Sequence, residues 1–249
     1  MATYLHDPDL RFLRHCDGDD LDLLVSVLTH DPKDGLARIT ETLTHDPKYQ
    51  KHYPNHPRYW EAIAAEVQTF GANSFVTLLR GGKGVCYREV LTDACDKMKV
   101  NYNTKSSIES IEMNMLMKIL EKSLTELDSQ DLQAISEELG TGYTNPTPEV
   151  LMMAIQAGIK TSGFAAYQMA LIVTNGVAKA LLGRGLSLAG NALLTRTMGI
   201  VAGPIGWILS SLWLLIDLAG PAYRVTIPSC IFIAYMRQKH LYAPTPDKE

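Results

Sequence analysis

Apolar positions recur every three to four residues through the first 139 residues, and beyond them polar positions nearly vanish. Leu21, Leu24, Val25 and Leu28 share one face of a helix over Asp20 to Leu28. Arg58 to Phe70 repeats the pattern with Trp60, Ile63, Ala64, Val67 and Phe70. Val85 to Val100 follows, through Val90, Leu91, Ala94 and Met98. Ser106 to Leu127 predicts a long helix with Ile108, Ile111, Met115, Ile119 and Leu124 on one side. Ser129-Gln-Asp-Leu132 opens another, reaching Leu139. Nothing alternates with the period of two that several strands would show. The pattern predicts an all-α fold, an N-terminal helical bundle followed by a glycine-rich apolar helical hairpin region.

Gly140-Thr-Gly-Tyr-Thr-Asn-Pro-Thr-Pro148 marks the clearest boundary. It divides the chain into an N-terminal helical domain (1–139), a linker (140–149), an apolar region (150–240) and a polar tail (241–249). Three His-Asp-Pro strings, at His6, His30 and His45, read as helix starts. Aspartate accepts from the free amides of a first turn, and proline suits the first helical position. Leu36, Ile39 and Leu43 follow the second string at helical spacing.

Thr197 to Met236 organises the rest. Residues 197–216 carry no charge, and neither do Val225 to Met236. Twenty apolar residues suffice to cross a bilayer as a helix, and the same run suits the most buried helix of a soluble bundle. Glycine-proline pairs at 203–204 and 220–221 divide the stretch, so insertion requires a helix running through Pro204 or a re-entrant hairpin. Trp207 and Trp213 suit a membrane interface. Between the runs stand Asp217, Tyr223, Arg224 and Thr226. They read as a buried polar latch or a partner contact, with Arg224 the expected partner of Asp217.

Charge sharpens the division. Residues 1–149 hold 24 acids and 15 bases, whereas residues 150–236 hold one acid and five bases. No dense basic face is present, so the expectation is no nucleic-acid partner. An acidic head with a basic-flanked apolar part fits an anionic membrane surface. The opening Met-Ala-Thr-Tyr-Leu-His-Asp-Pro predicts no signal peptide, and four widely spaced cysteines fit a reducing cytoplasm.

Candidate chemistry adds little. Six histidines fall within residues 6–56, but they precede the helices and never take the i, i+4 spacing of helical metal sites with a carboxylate inside one, so no metal or cofactor is expected. Gly81-Gly-Lys-Gly84 lacks the serine or threonine of a P-loop and reads as a helix–helix connection. Met113, Met115 and Met117 read as core filling or as an adaptable partner groove. No catalytic constellation emerges, and the chain reads as a non-enzyme.

Several strings, kept in order, resemble the YaaW-like family of bacterial proteins. They are Tyr4-Leu5, Asp9-Leu10-Arg11-Phe12-Leu13-Arg14-His15-Cys16 and Leu28-Thr29-His30, then Trp60-x-x-Ile63-Ala64-x-Glu66-x-Gln68-x-Phe70-Gly71 and Leu79-Arg80-Gly81. The last is Ala222-Tyr223-Arg224-Val225-Thr226-Ile227-Pro228. That family is grouped with the ubiquinol–cytochrome c chaperones, and the resemblance brings no catalytic residues. The segment 197–216 is longer and more apolar than in the plainest members, which argues against simple solubility.

Three functions remain open. The first is a membrane-associated protein, cytoplasmic at its N-terminal domain, whose apolar part inserts in or lies on the inner membrane. The second is a soluble assembly chaperone or adaptor with the apolar part as its core. The third is a pore-forming or toxin-like protein that releases an apolar hairpin. The corresponding partners are inner-membrane lipid or a membrane-protein client, and a homo-oligomer is left open.

Overall fold

Local chemistry sets most of the helix boundaries. Asp19 and Asp20 fill the first turn of α1 (Gly18–Thr29), where negative charge complements the helix dipole. Asp46 accepts from the Lys48 and Tyr49 amides, and Pro47 takes the first position of α2 (Pro47–His52). A 3-10 turn, His56–Tyr59, leads into α3 (Trp60–Ala72). α4 (Tyr87–Lys97) follows. Ser107, Asp128 and Thr147 each accept from a first-turn amide at the starts of α5 (Ile108–Thr125), α6 (Ser129–Glu138) and α7 (Pro148–Thr161). One extended residue, Ser162, separates α7 from α8 (Gly163–Leu182), and α9 (Tyr223–Tyr242) comes last.

The computed structural model describes residues 2–31, 34–72, 84–186 and 222–243. Among them the one non-helical pairing is an isolated bridge between His30 and Ala37, so the fold is all-α as expected. The expected helices over 20–28, 58–70, 85–100, 106–127 and 132–139 are α1, α3, α4, α5 and α6.

α9 is the hub. α1, α3, α4, α5 and α8 all pack on it, and every residue from Val225 to Met236 is buried. A helix buried on all sides needs apolar residues all round, which explains why its uncharged run shows no amphipathic stripe. Ile227, Ile231, Phe232 and Ile233 are at most 1% exposed. Burying side chains of this size contributes roughly 1.5–3 kcal/mol each. The second uncharged run is thus the centre of the bundle's core. α8 is long and apolar enough to cross a membrane, yet 67% of its apolar window is buried in the bundle. One apolar cluster runs from Leu10 to Met236, so the packing passes across the change in polarity at 140–149.

Helix ends meet at two poles. Tyr242 of α9 bonds Glu109 at the start of α5, and its ring lies on Gly163 at the start of α8. Any side chain at Gly163 would meet that ring at 2.2 Å. The opposite pole gathers the start of α9 with the ends of α1 and α4: Arg224 reaches Asp31, and Lys97 lies over the Tyr223 ring.

The His-Asp-Pro strings diverge from expectation. Among the described residues only Asp46-Pro47 starts an α-helix. Asp7 bonds its own Asp9 amide, but its other carboxylate oxygen takes the Tyr87 amide at 2.6 Å, and a 3-10 turn (Arg11–His15) follows. After His30 there is no helix through Leu36 and Ile39. The Asp34 carboxylate takes the Leu36 amide, and Arg38 donates its amide to the Thr29 carbonyl. Such side-chain and cross-loop bonds compete with helical ones. Leu43 alone of the three is buried; Leu36 and Ile39 face solvent.

Candidate functional site

The best-defined polar constellation lies inside the bundle, where α9 meets α4, α5 and the N-terminal arm. Glu112 of α5 is fully buried and accepts from Arg237 Nε at 2.7 Å and from the Tyr87 hydroxyl at 2.8 Å. Arg237 also donates to the Asp9 carbonyl at 2.6 Å, and its guanidinium lies 4.3 Å from the Phe12 ring centre. Burial raises the Glu112 carboxyl, opposed by Arg237 and Tyr87. Burial works against charge on Arg237 too, but Glu112 outweighs it and holds the guanidinium protonated. Tyr87 is pushed well above its ordinary value by burial and the neighbouring carboxylate. Both Glu112 carboxylate oxygens are thus taken from within the bundle. The chemistry is that of a lock tying the last helix to the first residues of the chain.

Two side chains of α3 fasten the rest of that arm. Gln68 accepts the Leu5 amide at 2.9 Å and donates to the Leu5 carbonyl at 3.0 Å, as a strand neighbour would. Glu66 takes both the amide and the hydroxyl of Thr42 at 2.8 Å. Glu66, Gln68 and Tyr4 belong to the strings on which the family resemblance rests, and Asp7 lies between two of them, so those strings take part in fastening the N-terminal arm.

Three further ion clusters lie along or next to α1, two of them reaching α9. Lys239 reaches Asp17 and Asp20 at 2.7 Å, and burial raises the Asp20 carboxyl against that pull. Arg224 lies 3.7 Å from Asp31, which also pairs with Arg38 at 3.2 Å. Arg184, beyond α8, pairs with Asp22 and donates to the Ser26 hydroxyl at 3.0 Å. Buried His56 reaches the same Asp22 through Nε2 at 3.1 Å and the Tyr59 hydroxyl through Nδ1. The bonds from His56 and Arg184 hold the Asp22 carboxyl below its ordinary range.

Of the residues expected to form a latch, Thr226 is buried and Tyr223 and Arg224 are half-buried at the start of α9. Arg224 has a long-range acidic partner in Asp31. Asp217, Trp207 and Trp213 lie outside the described residues, as does Gly81-Gly-Lys83. The Glu112–Arg237 lock escaped the sequence reading, although a signal existed. Glu112 stands four residues after Ile108 and three before Met115, on the apolar stripe of its own helix. A carboxylate in such a stripe demands a buried partner. Glu66 and Asp20 occupy the same kind of position.

A second feature is open to solvent. Between α5 and α7 run two clefts of about 560 and 580 Å³ that share Asn114. Met117, Met152 and Met153 line one and Met113 the other, with Lys99, Lys118 and Lys160 at the rims. Met115 points the other way and is fully buried, so the three methionines of α5 divide between core and groove. Thioether side chains adapt to varied apolar shapes. Among the described residues no three His, Cys, Asp or Glu side chains converge as metal ligands.

Comparison with known proteins points in one direction. The family model described as ubiquinol-cytochrome C chaperone matches residues 55–232, and one described as a domain of unknown function, DUF3944, matches residues 4–39. A UPF0174 protein of Helicobacter pylori strain J99 is 48% identical over 238 residues, covering 95% of this chain and 93% of the relative. A second UPF0174 protein of that strain is 37% identical over 197 residues, covering 77% and 94%. The UPF0174 protein YaaW of Escherichia coli K12 is 30% identical over 242 residues, covering 95% and 96%. No solved structure matches the chain.

Proposed function

The chain belongs to the UPF0174 family, which the ubiquinol-cytochrome C chaperone model also covers, and from that premise we propose a non-enzymatic protein that works at the bacterial inner membrane. In this reading a cytoplasmic bundle built on α9 presents the uncharged run 197–216 to the bilayer. One observation carries it: Val225 to Met236 fills the core of the bundle, while 197–216 is a further uncharged run whose twenty residues reach the length of a bilayer crossing, roughly 30 Å as a helix. The Gly-Pro pairs at 203–204 and 220–221 favour a re-entrant or interfacial contact over a single straight span. Trp207 and Trp213 would sit at headgroup level, and Asp217 would stay at the edge of the run.

Fractionation of cells expressing the full chain tests the reading. The protein is expected with the membranes, partly retained through carbonate washing and released by detergent. Recovery of all of it as a soluble, monodisperse species refutes the reading.

The groove favours a second reading, an assembly chaperone or adaptor for an apolar helix of a membrane-protein client. The chaperone family model spans both walls, α5 and α7. Equimolar protein should then suppress aggregation of a single-helix membrane peptide diluted from detergent, and Met117→Glu with Met153→Glu should abolish the effect. Undiminished aggregation with the unaltered chain sinks this reading.

A further inference from the structure

We infer that α6 and α7 form a hinged flap, residues 129–161, which swings away from α5 as one piece and opens the two clefts beside it into one groove. The flap takes its use from the groove reading above, and its evidence from the way the hairpin is attached. α7 is apolar over most of its length, yet only Leu151 and Met152 of its 14 residues are buried, against 13 of 20 in α8 and 9 of 18 in α5. Ile155 and Ile159 are half-covered against the core, and Met153 is 62% exposed. The clefts of about 560 and 580 Å³ flank both ends of α7, one lined by Pro148 and Met152, the other by Ile159 and Lys160. A segment with few buried apolar contacts opens at a lower free energy than the core around it.

Polar bonds hold this hairpin to itself. Gln133 Oε1 accepts the Asn145 amide at 2.8 Å, and the Ser136 hydroxyl bonds the Thr141 hydroxyl at 2.6 Å and the Tyr143 carbonyl at 3.1 Å, so the linker travels with α6. Among the described side chains, no hydrogen bond or ion pair joins 129–161 to the rest of the bundle except the Asp128 cap at its root. α9, by contrast, is tied through Arg224, Arg237, Lys239 and Tyr242 to acids outside it. Hinges stand at both ends. Asp128 lies between α5 and α6, and Ser162 is one extended residue between α7 and α8 with no side-chain cap. A few residues at element ends suffice to absorb such a swing. Once the flap is open, Met113 and Met117 of α5 and Met152 of α7 line one bed, adaptable to the apolar helix of the groove reading.

Thiol reactivity in the full-length chain tests the flap. Leu151→Cys, in a Cys86→Ser background, puts a thiol at a position that is 0% exposed, as Cys95 of α4 and Cys230 of α9 are. A rigid bundle hides all three alike. With a flap, position 151 should react with a disulfide reagent at least about a hundredfold faster than Cys95 and Cys230 of the same molecule, while hydrogen exchange finds the α7 amides still protected. Leu91→Cys, the same truncation at an equally buried position of α4, should react no faster than Cys95, which separates opening from the effect of a shortened side chain. If Leu151→Cys does not fold, Met152→Cys is compared with Met236→Cys in the same way. Equal rates at position 151, Cys95 and Cys230 overturn the flap. So does exchange of the α7 amides as fast as the thiol reacts, because the helix then melts instead of swinging. No client is present in these measurements, so their failure leaves the groove reading standing, and failure of the aggregation assay leaves the flap standing.

Discussion

Arg237→Met should be among the most damaging single substitutions outside the apolar core, and its effect should depend on pH in a defined direction. The change removes two hydrogen bonds and the stacking on Phe12, and it leaves Glu112 fully buried with only the Tyr87 hydroxyl facing it. Stranding one partner of a buried pair costs roughly 3–5 kcal/mol. For a chain of this size that corresponds to a fall in Tm of roughly 6–20 °C. The Glu112 carboxyl is already raised by burial in the intact protein, and Arg237 opposes that rise. Without Arg237 it rises further. A carboxyl raised on folding contributes stability that is present below its unfolded value and lost as pH climbs through the folded one. The deficit of Arg237→Met should therefore be small near pH 5 and grow toward pH 8, by up to about 1.4 kcal/mol per pH unit. Urea unfolding followed by circular dichroism across this range measures it. Arg237→Met/Glu112→Leu should recover most of the loss, because an apolar pair replaces the stranded charge. A deficit under about 1 kcal/mol, or one that is flat with pH, would refute the account of the lock.

Three other outcomes follow from packing and burial. Gly71→Ala should destabilise by roughly 1–3 kcal/mol, since a Cβ there would meet the Val90 side chain at 2.3 Å; thermal melts check it. Cys86, the exposed thiol, should react quickly with a disulfide reagent in the native protein. Cys16, half-buried and pushed up to about 12 by burial, should lag, and Cys95 and Cys230 should react only on unfolding; four equal rates would contradict the packing. Asp46→Ala should cost about 1 kcal/mol through loss of the α2 cap, whereas Asp34→Ala, on a loop where no helix forms, should leave the helical signal unchanged.

The helices were legible because their signals are local. Apolar spacing located α1, α3, α4, α5 and α6, and the Gly-Pro-rich string at 140–148 does separate α6 from α7. The repeated His-Asp-Pro string misled because capping chemistry is permissive. Asp7 and Asp46 both bond amides in their own chain direction, but only Asp46 has no competing long-range donor of the kind Tyr87 offers to Asp7. The lock was illegible as a pair. Glu112 and Arg237 are 125 residues apart, and Arg237 meets the Asp9 carbonyl across 228. No spacing rule connects them. What the sequence does carry is the misplaced carboxylate on the stripe of α5, a one-sided signal that foretells a partner without naming it.

That distinction separates the chain's two uncharged runs, which look alike as strings. Val225 to Met236 is preceded by Arg224 and followed by Arg237 and Lys239, and each of these cations meets an acid on another element: Asp31, Glu112, and Asp17 with Asp20. The ionic partners fix both ends of an all-apolar helix inside a bundle whose N-terminal part is rich in acids, and the acidic excess of residues 1–149 thereby gains a structural use. Residues 197–216 are bounded in the sequence by Arg196 and Asp217. An apolar helix pinned by cations at both ends belongs to the protein core, and because its acids stand far away in the chain, the string alone does not tell such a helix from a run of membrane-crossing length.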